Sequence, residues 1–147
     1  MAYRIVKQAR AWRPVEWPGI SEDGESVTNR IELRFRILKV DAATAFIREV
    51  VDAQARETRP DVDAPQVYAE LVAQIADEWR GVLAENEEPL RWDVPESWID
   101  DKDEAGKRKP LVAPNLRTLM NEGGMFTHIF SAWRDALAAA PKVREGN

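Results

Sequence analysis

The sequence predicts an α+β protein, mostly α-helical, in which an N-terminal antiparallel β-hairpin packs on a bundle of about four helices. Three observations predict it. Residues 31–37 alternate apolar and charged, which is the period of a half-buried strand. From Asp41 onward the apolar spacing changes to that of helices. The chain has 147 residues, 44% of them hydrophobic and 32% charged, the size and composition of one ordinary domain with its own core.

The hairpin takes residues 1–40. Ile31, Leu33, Phe35 and Ile37 fall on one side of its second strand, and Glu32, Arg34 and Arg36 on the other. Ala11 to Trp17 supplies the first, short strand, and Pro18 to Ser26 holds an Asp23-Gly24 turn signal. A two-stranded ribbon is marginal alone, so its apolar face must lie on helices.

Residues 41–84 predict two long helices. Asp41 caps the first, whose stripe of Phe46, Ile47, Val50 and Val51 fades near Arg59-Pro60. Asp63 and Pro65 start the second, in which Val67, Leu71, Ile75, Trp79 and Val82 recur nearly every turn as far as Leu83. Residues 86–114 then read as a long loop, with four prolines and a charge run that turns from acidic to basic. One or two helical turns fit between Pro95 and Gly106.

Residues 115–140 predict a short helix stopped at Gly123-Gly124, followed by a closing helix. In the latter, Phe126, Ile129, Phe130, Trp133 and Leu137 stand at offsets 0, 3, 4, 7 and 11, an amphipathic stripe. Pro141 ends it, leaving 141–147 as a frayed tail.

Little in the chain points to catalysis. A net charge of -5 repels phosphate backbones, so no nucleic acid is expected as main partner. There is no cysteine, hence no disulfide framework and no thiolate chemistry. Nowhere do 18 apolar residues run together and the N-terminus has no apolar leader, so no membrane is expected and the chain reads as soluble. His128 is the single histidine, which rules out a triad of histidine metal ligands within one chain. The acidic groups Glu85 to Glu88 and Asp100 to Glu104 lie in polar sequence that gives no burial to shift a pKa. The basic cluster Gly106 to Lys109 has no interleaved aromatics. Phosphate-cradling glycine loops are missing, and the helix after Gly123-Gly124 opens with Met, Phe and Ile instead of the polar side chains that read DNA. No catalytic, cofactor or metal residue is assigned.

The candidates that remain bind protein. Trp92 and Trp98 lie in the proline-rich loop, off any stripe, and either fold back on the core or anchor a partner chain. Phe126, Phe130 and Trp133 form a stripe of the kind that a helix-in-groove binder presents, and an ordinary core helix has the same stripe.

The order of elements, with Trp79, Gly81, Val82, Glu85, Glu88, Pro89 and Leu90 followed by Pro114, Asn115, Leu116, Leu119 and the Phe126 to Ala140 helix, resembles the tail assembly chaperones of long-tailed bacteriophages and prophages. The resemblance covers most of the chain, with Arg91 to Ala113 inserted where family members pass almost directly from the "EPL" segment to the proline. It implies a non-enzymatic protein, without cofactors, that binds the tape measure protein and keeps it soluble while the tail tube protein polymerises around it. It also implies action in the host cytoplasm and absence from the mature virion. A homo-oligomer stays open. The competing expectation is a structural component of the tail or the head-tail connector, such as a tail terminator.

Overall fold

The computed structural model describes residues 2–145, and the last two residues of the expected tail lie outside it. β1 (Ala9–Ile20) and β2 (Ser26–Ile37) pair antiparallel in register from Ala9↔Ile37 to Ile20↔Ser26. The turn between them closes through Gly24 N–H to Ser21 O at 2.9 Å, and Gly24 takes a φ of 81°, where glycine alone pays no Cβ penalty. As the alternation requires, Ile31, Leu33, Phe35 and Ile37 are buried. The expected α+β architecture is present, with an antiparallel sheet at the N-terminus and four helices.

The sheet has one strand more than expected. α2 (Ala64–Ile75) does not continue to Leu83, and the chain passes straight into β3 (Ala76–Arg80), which pairs antiparallel with the free side of β2. Trp79 and Val82 are buried, but from a strand and a loop. Their spacing satisfied a helical stripe by coincidence of period, and long-range pairing with β2 overrides local propensity. A bulge between Arg34 and Phe35 leaves Asp77 as the extra residue on β3 and turns it toward the charged outer face of β2.

α1 (Val40–Arg56) buries Ala43, Phe46, Val50 and Ala53. Asp41 sits inside its first turn and accepts from Ala42 N–H, so it is no cap. Two members of the expected stripe, Ile47 and Val51, face solvent, because a stripe of adjacent pairs is wider than the strip of core it meets. α3 (Pro114–Met120) ends before the glycine pair, and Gly124 supplies the left-handed turn, φ 78°, into α4 (Met125–Glu145). Pro141 lies within α4 instead of ending it. Its fixed φ suits a helix, and what it removes is one N–H bond to the preceding turn.

The core is an aromatic chain along α4. Phe126 stacks on Tyr68 of α2 with centroids 4.4 Å apart, Phe130 stacks on Phe126 at 5.8 Å and on Trp133 at 5.9 Å, and Trp133 meets Phe46 of α1 edge-on at 4.9 Å. Trp133 is fully buried and donates its indole N–H to Arg36 O at 3.1 Å, which ties α4 to β2. A buried indole needs such an acceptor.

The region 86–114 is not a structureless loop. Its helical content is one 3-10 turn, Glu96–Ile99, and a second tight turn closes between Lys102 and Arg108. Gln66 of α2 donates to Leu111 O, Leu111 N–H donates to Glu70, and Leu111 and Ala113 are buried. Satisfied backbone and buried apolar side chains hold the segment against α2.

Candidate functional site

Of the residues expected to touch a partner, most serve the interior. Trp98 is 6% exposed and donates its indole N–H to Lys109 O at 2.8 Å, so it staples the two arms of the inserted segment. Phe126 and Trp133 are buried in the aromatic chain, and Phe130 is half-buried between them. Trp92 is half-buried too, edge-on against Trp79 at 5.3 Å. As a group they are not an exposed anchor set. Cores and interfaces want the same residue types, so composition does not separate them.

The residues from Trp79 to Leu90 form a local unit whose spacing has a mechanical cause. Gly81 takes a φ of 82°, Leu90 N–H donates to Val82 O at 2.9 Å, Ala84 N–H donates to Glu88 O at 2.9 Å, and Leu83 bridges Pro89. The Trp79 indole N–H closes the unit on Leu90 O at 2.6 Å. Glu85, Asn86, Glu87 and Glu88 lie in its exposed tip. Just beyond it, Asp93 accepts from Asn115 N–H at 2.7 Å and from Leu116 N–H at 3.2 Å, and Asn115 donates to Arg91 O. A carboxylate from the loop thereby caps α3, whose own N-cap residue, Ala113, has no side chain able to do so.

This unit, the hairpin and the Gly123-Gly124 corner enclose a groove of about 410 Å³. Trp17, Ile31, Val82, Leu119 and Met125 form its apolar lining, with Leu83 at the rim 58% exposed. The His128 ring stacks on Trp17 at 5.7 Å and 13°. The histidine is half-buried and packed on an aromatic face. Asn29, Arg30 and Glu122 share the lining, so the groove is of mixed character, with the exposed Leu83 and the half-buried Trp17 as its accessible apolar side chains.

A second, larger cleft of about 970 Å³ opens on the outer face of the sheet. Asp77 holds Arg34 at 2.6 Å and Arg10 at 3.0 Å, and the Arg80 guanidinium lies 3.6 Å over the Trp12 ring. The hydrogen bond to Asp77 raises Arg34 above the usual guanidinium value, whereas burial lowers Arg36. A guanidinium is basic enough that both are cations at neutral pH in either case. Alternation placed Arg34 and Arg36 on this face, but Asp77 was hidden inside an expected helix. Here the carboxylate of Asp77 is shared between two cations, Arg34 and Arg10.

Among the described residues no cluster of three His, Asp or Glu could hold a metal ion, and no helix is long and apolar enough to cross a membrane. Comparison of the chain with protein-family models, with curated proteins and with solved structures found no match.

Proposed function

We propose that this protein is a tail assembly chaperone that binds an amphipathic segment of the tape measure protein and keeps it soluble while tail tube protein assembles around it. The observation that carries this reading is the groove at the glycine corner. Three of the residues behind the family resemblance line it, Gly81 and Val82 from the Trp79 to Leu90 unit and Leu119 from α3, beside Met125 at the start of the closing helix. The groove offers the exposed Leu83 and the Trp17 ring to apolar side chains of a helix, with Asn29, Arg30 and Glu122 as polar neighbours. A net charge of -5 keeps a complex of an apolar client in solution.

The test is co-expression with a tape measure protein. The expected result is a soluble complex that co-purifies. Leu83 is exposed, so Leu83→Arg should leave the fold intact while reducing recovery of soluble partner roughly tenfold or more, since it replaces the groove's most accessible apolar side chain with a charge. An insoluble partner with the unaltered chain overturns the proposal. Mass spectrometry of purified particles supplies a second arm: a chaperone is absent from them, and presence in stoichiometric amount would instead make the chain a tail component.

A further inference from the structure

On α1 a second apolar stripe runs beside the buried one. Val40, Thr44, Ile47 and Val51 follow one another at spacings of four, three and four, the spacing of a coiled-coil seam about 16 Å long. None of them is buried; Val40 is 84% exposed and Val51 61%. The N-terminal arm adds Ile5 and Val6, also exposed, as the far wall of a groove of about 520 Å³ beside the seam, in which Lys39 is the one charged lining residue among those described. An apolar band of this kind on a folded surface marks an interaction site.

We propose that this seam pairs with the same seam of a second copy of the chain, the two α1 helices running antiparallel about a twofold axis. The charges beside the seam select this occupant. Asp41 and Arg48 occupy equivalent flanking positions, one heptad apart. When the helices are laid antiparallel, Val40 of one copy faces Val51 of the other and Thr44 faces Ile47. The same register sets Asp41 opposite Arg48, and the twofold axis makes that pair twice. Within one chain neither side chain has an ion-pair partner among the described residues. In a parallel pairing these flanking positions fall on opposite sides of the seam, so Asp41 and Arg48 would not meet, and only the antiparallel arrangement gives each a partner. Opposed helix dipoles also favour the antiparallel arrangement. The seam lies on α1 and the arm, apart from the groove at the glycine corner, so the pairing stands whether or not the chaperone reading does.

The experiment is sedimentation of the purified chain over a micromolar to millimolar range, with a monomer–dimer equilibrium as the expected result. Asp41→Arg and Arg48→Asp each turn attraction into repulsion at both symmetric contacts and should weaken dimerisation roughly tenfold. The double variant D41R/R48D should restore it, which a merely destabilised fold would not do. The chain lacks cysteine, so mixing Val40→Cys with Val51→Cys gives a clean register test: the mixture should cross-link on oxidation far more than either variant alone. A monomer at all concentrations, a double variant as weak as the singles, or efficient cross-linking of Val51→Cys to itself would each overturn the proposal.

Discussion

The Arg36 guanidinium donates to the carbonyl of Ala73 at 2.8 Å and, from the same nitrogen, to that of Ala76 at 3.1 Å. It is thus a β2 side chain that terminates α2. The last carbonyls of a helix have no intrahelical donor, and here neither glycine nor proline follows to supply a capping turn. Arg36 fills that role and lets Ala76 turn into β3. Replacement by alanine leaves two partly buried carbonyls without this donor, so Arg36→Ala should lower stability by about 1.5–3 kcal/mol, the range for hydrogen bonds to charged groups. Urea unfolding would read this as a lower midpoint with an unchanged slope. Arg36→Lys keeps the charge but ends one bond short of the donating nitrogen, so it should recover only part of it. An unchanged midpoint for Arg36→Ala would mean that water serves these carbonyls equally well.

The inserted segment should behave as core. Trp98→Phe removes the bond to Lys109 O but keeps most of the packing, and should cost about 0.5–1.5 kcal/mol. Trp98→Ala empties the site as well and should cost about 3–5 kcal/mol. Both are read by chemical denaturation, with near-UV circular dichroism reporting the loss of fixed indole packing. Were Trp98 a partner anchor, the alanine variant would keep its stability and lose only binding.

How much of this was legible follows the range of the forces involved. The hairpin, the starts of α1 and α2, and the stripe of α4 rest on local periodicity and on residues such as Pro65 and Asp23-Gly24, so they can be read along the chain. The end of α2 is not local, because it depends on Arg36, and the pairing that makes β3 depends on β2. A segment in which Ile75, Trp79 and Val82 recur satisfies a helical period whether or not the backbone stays helical. Asp93 as the cap of α3 was equally hidden, since capping patterns search the residues adjoining a helix and this carboxylate comes from 22 residues before Asn115. At the candidate site, the family resemblance pointed at Gly81, Val82 and Leu119 but not at Trp17 or Ile31, which the fold brings across from the hairpin.

Capping from a distance makes a separable prediction. Asp93→Ala should lower stability by about 0.5–2 kcal/mol, the usual cost of losing an N-cap acceptor. Its local signature would be faster amide hydrogen exchange at Asn115 and Leu116 relative to residues of α4. Asp93→Asn keeps an acceptor and should recover most of the loss. Uniform exchange changes throughout the chain would count against a capping role.

Gly81 tests whether the Trp79 to Leu90 unit depends on its backbone. A Cβ there would meet nothing closer than Arg30 O and Ile31 Cα, both at 3.8 Å, so space is not the obstacle; the φ of 82° is. Gly81→Ala should therefore cost about 1–2 kcal/mol, and Gly81→Asn less, because asparagine tolerates the left-handed region. Equal losses for the two variants in thermal denaturation would point to crowding instead.

Tyr68 gives the fold an alkaline limit. Its hydroxyl donates to Glu57, and burial first, then that hydrogen bond and the charge of Glu57, raise the phenol well above its ordinary value of about 10. The folded protein therefore holds the phenol proton that the unfolded chain releases above about pH 10. The contribution of this group is complete below the unfolded pKa and is lost as pH rises toward the folded one, so unfolding should become progressively easier above about pH 10. Tyr68→Phe should remove this component of the pH dependence. Glu57→Gln should remove only the smaller part, since burial is the largest cause and stays. Ultraviolet titration of phenolate absorbance in the folded state follows the same group directly. A Tyr68 phenolate forming near its ordinary value while the protein remains folded would show that the ring is not desolvated, and that its stack on Phe126 is looser than 4.4 Å implies.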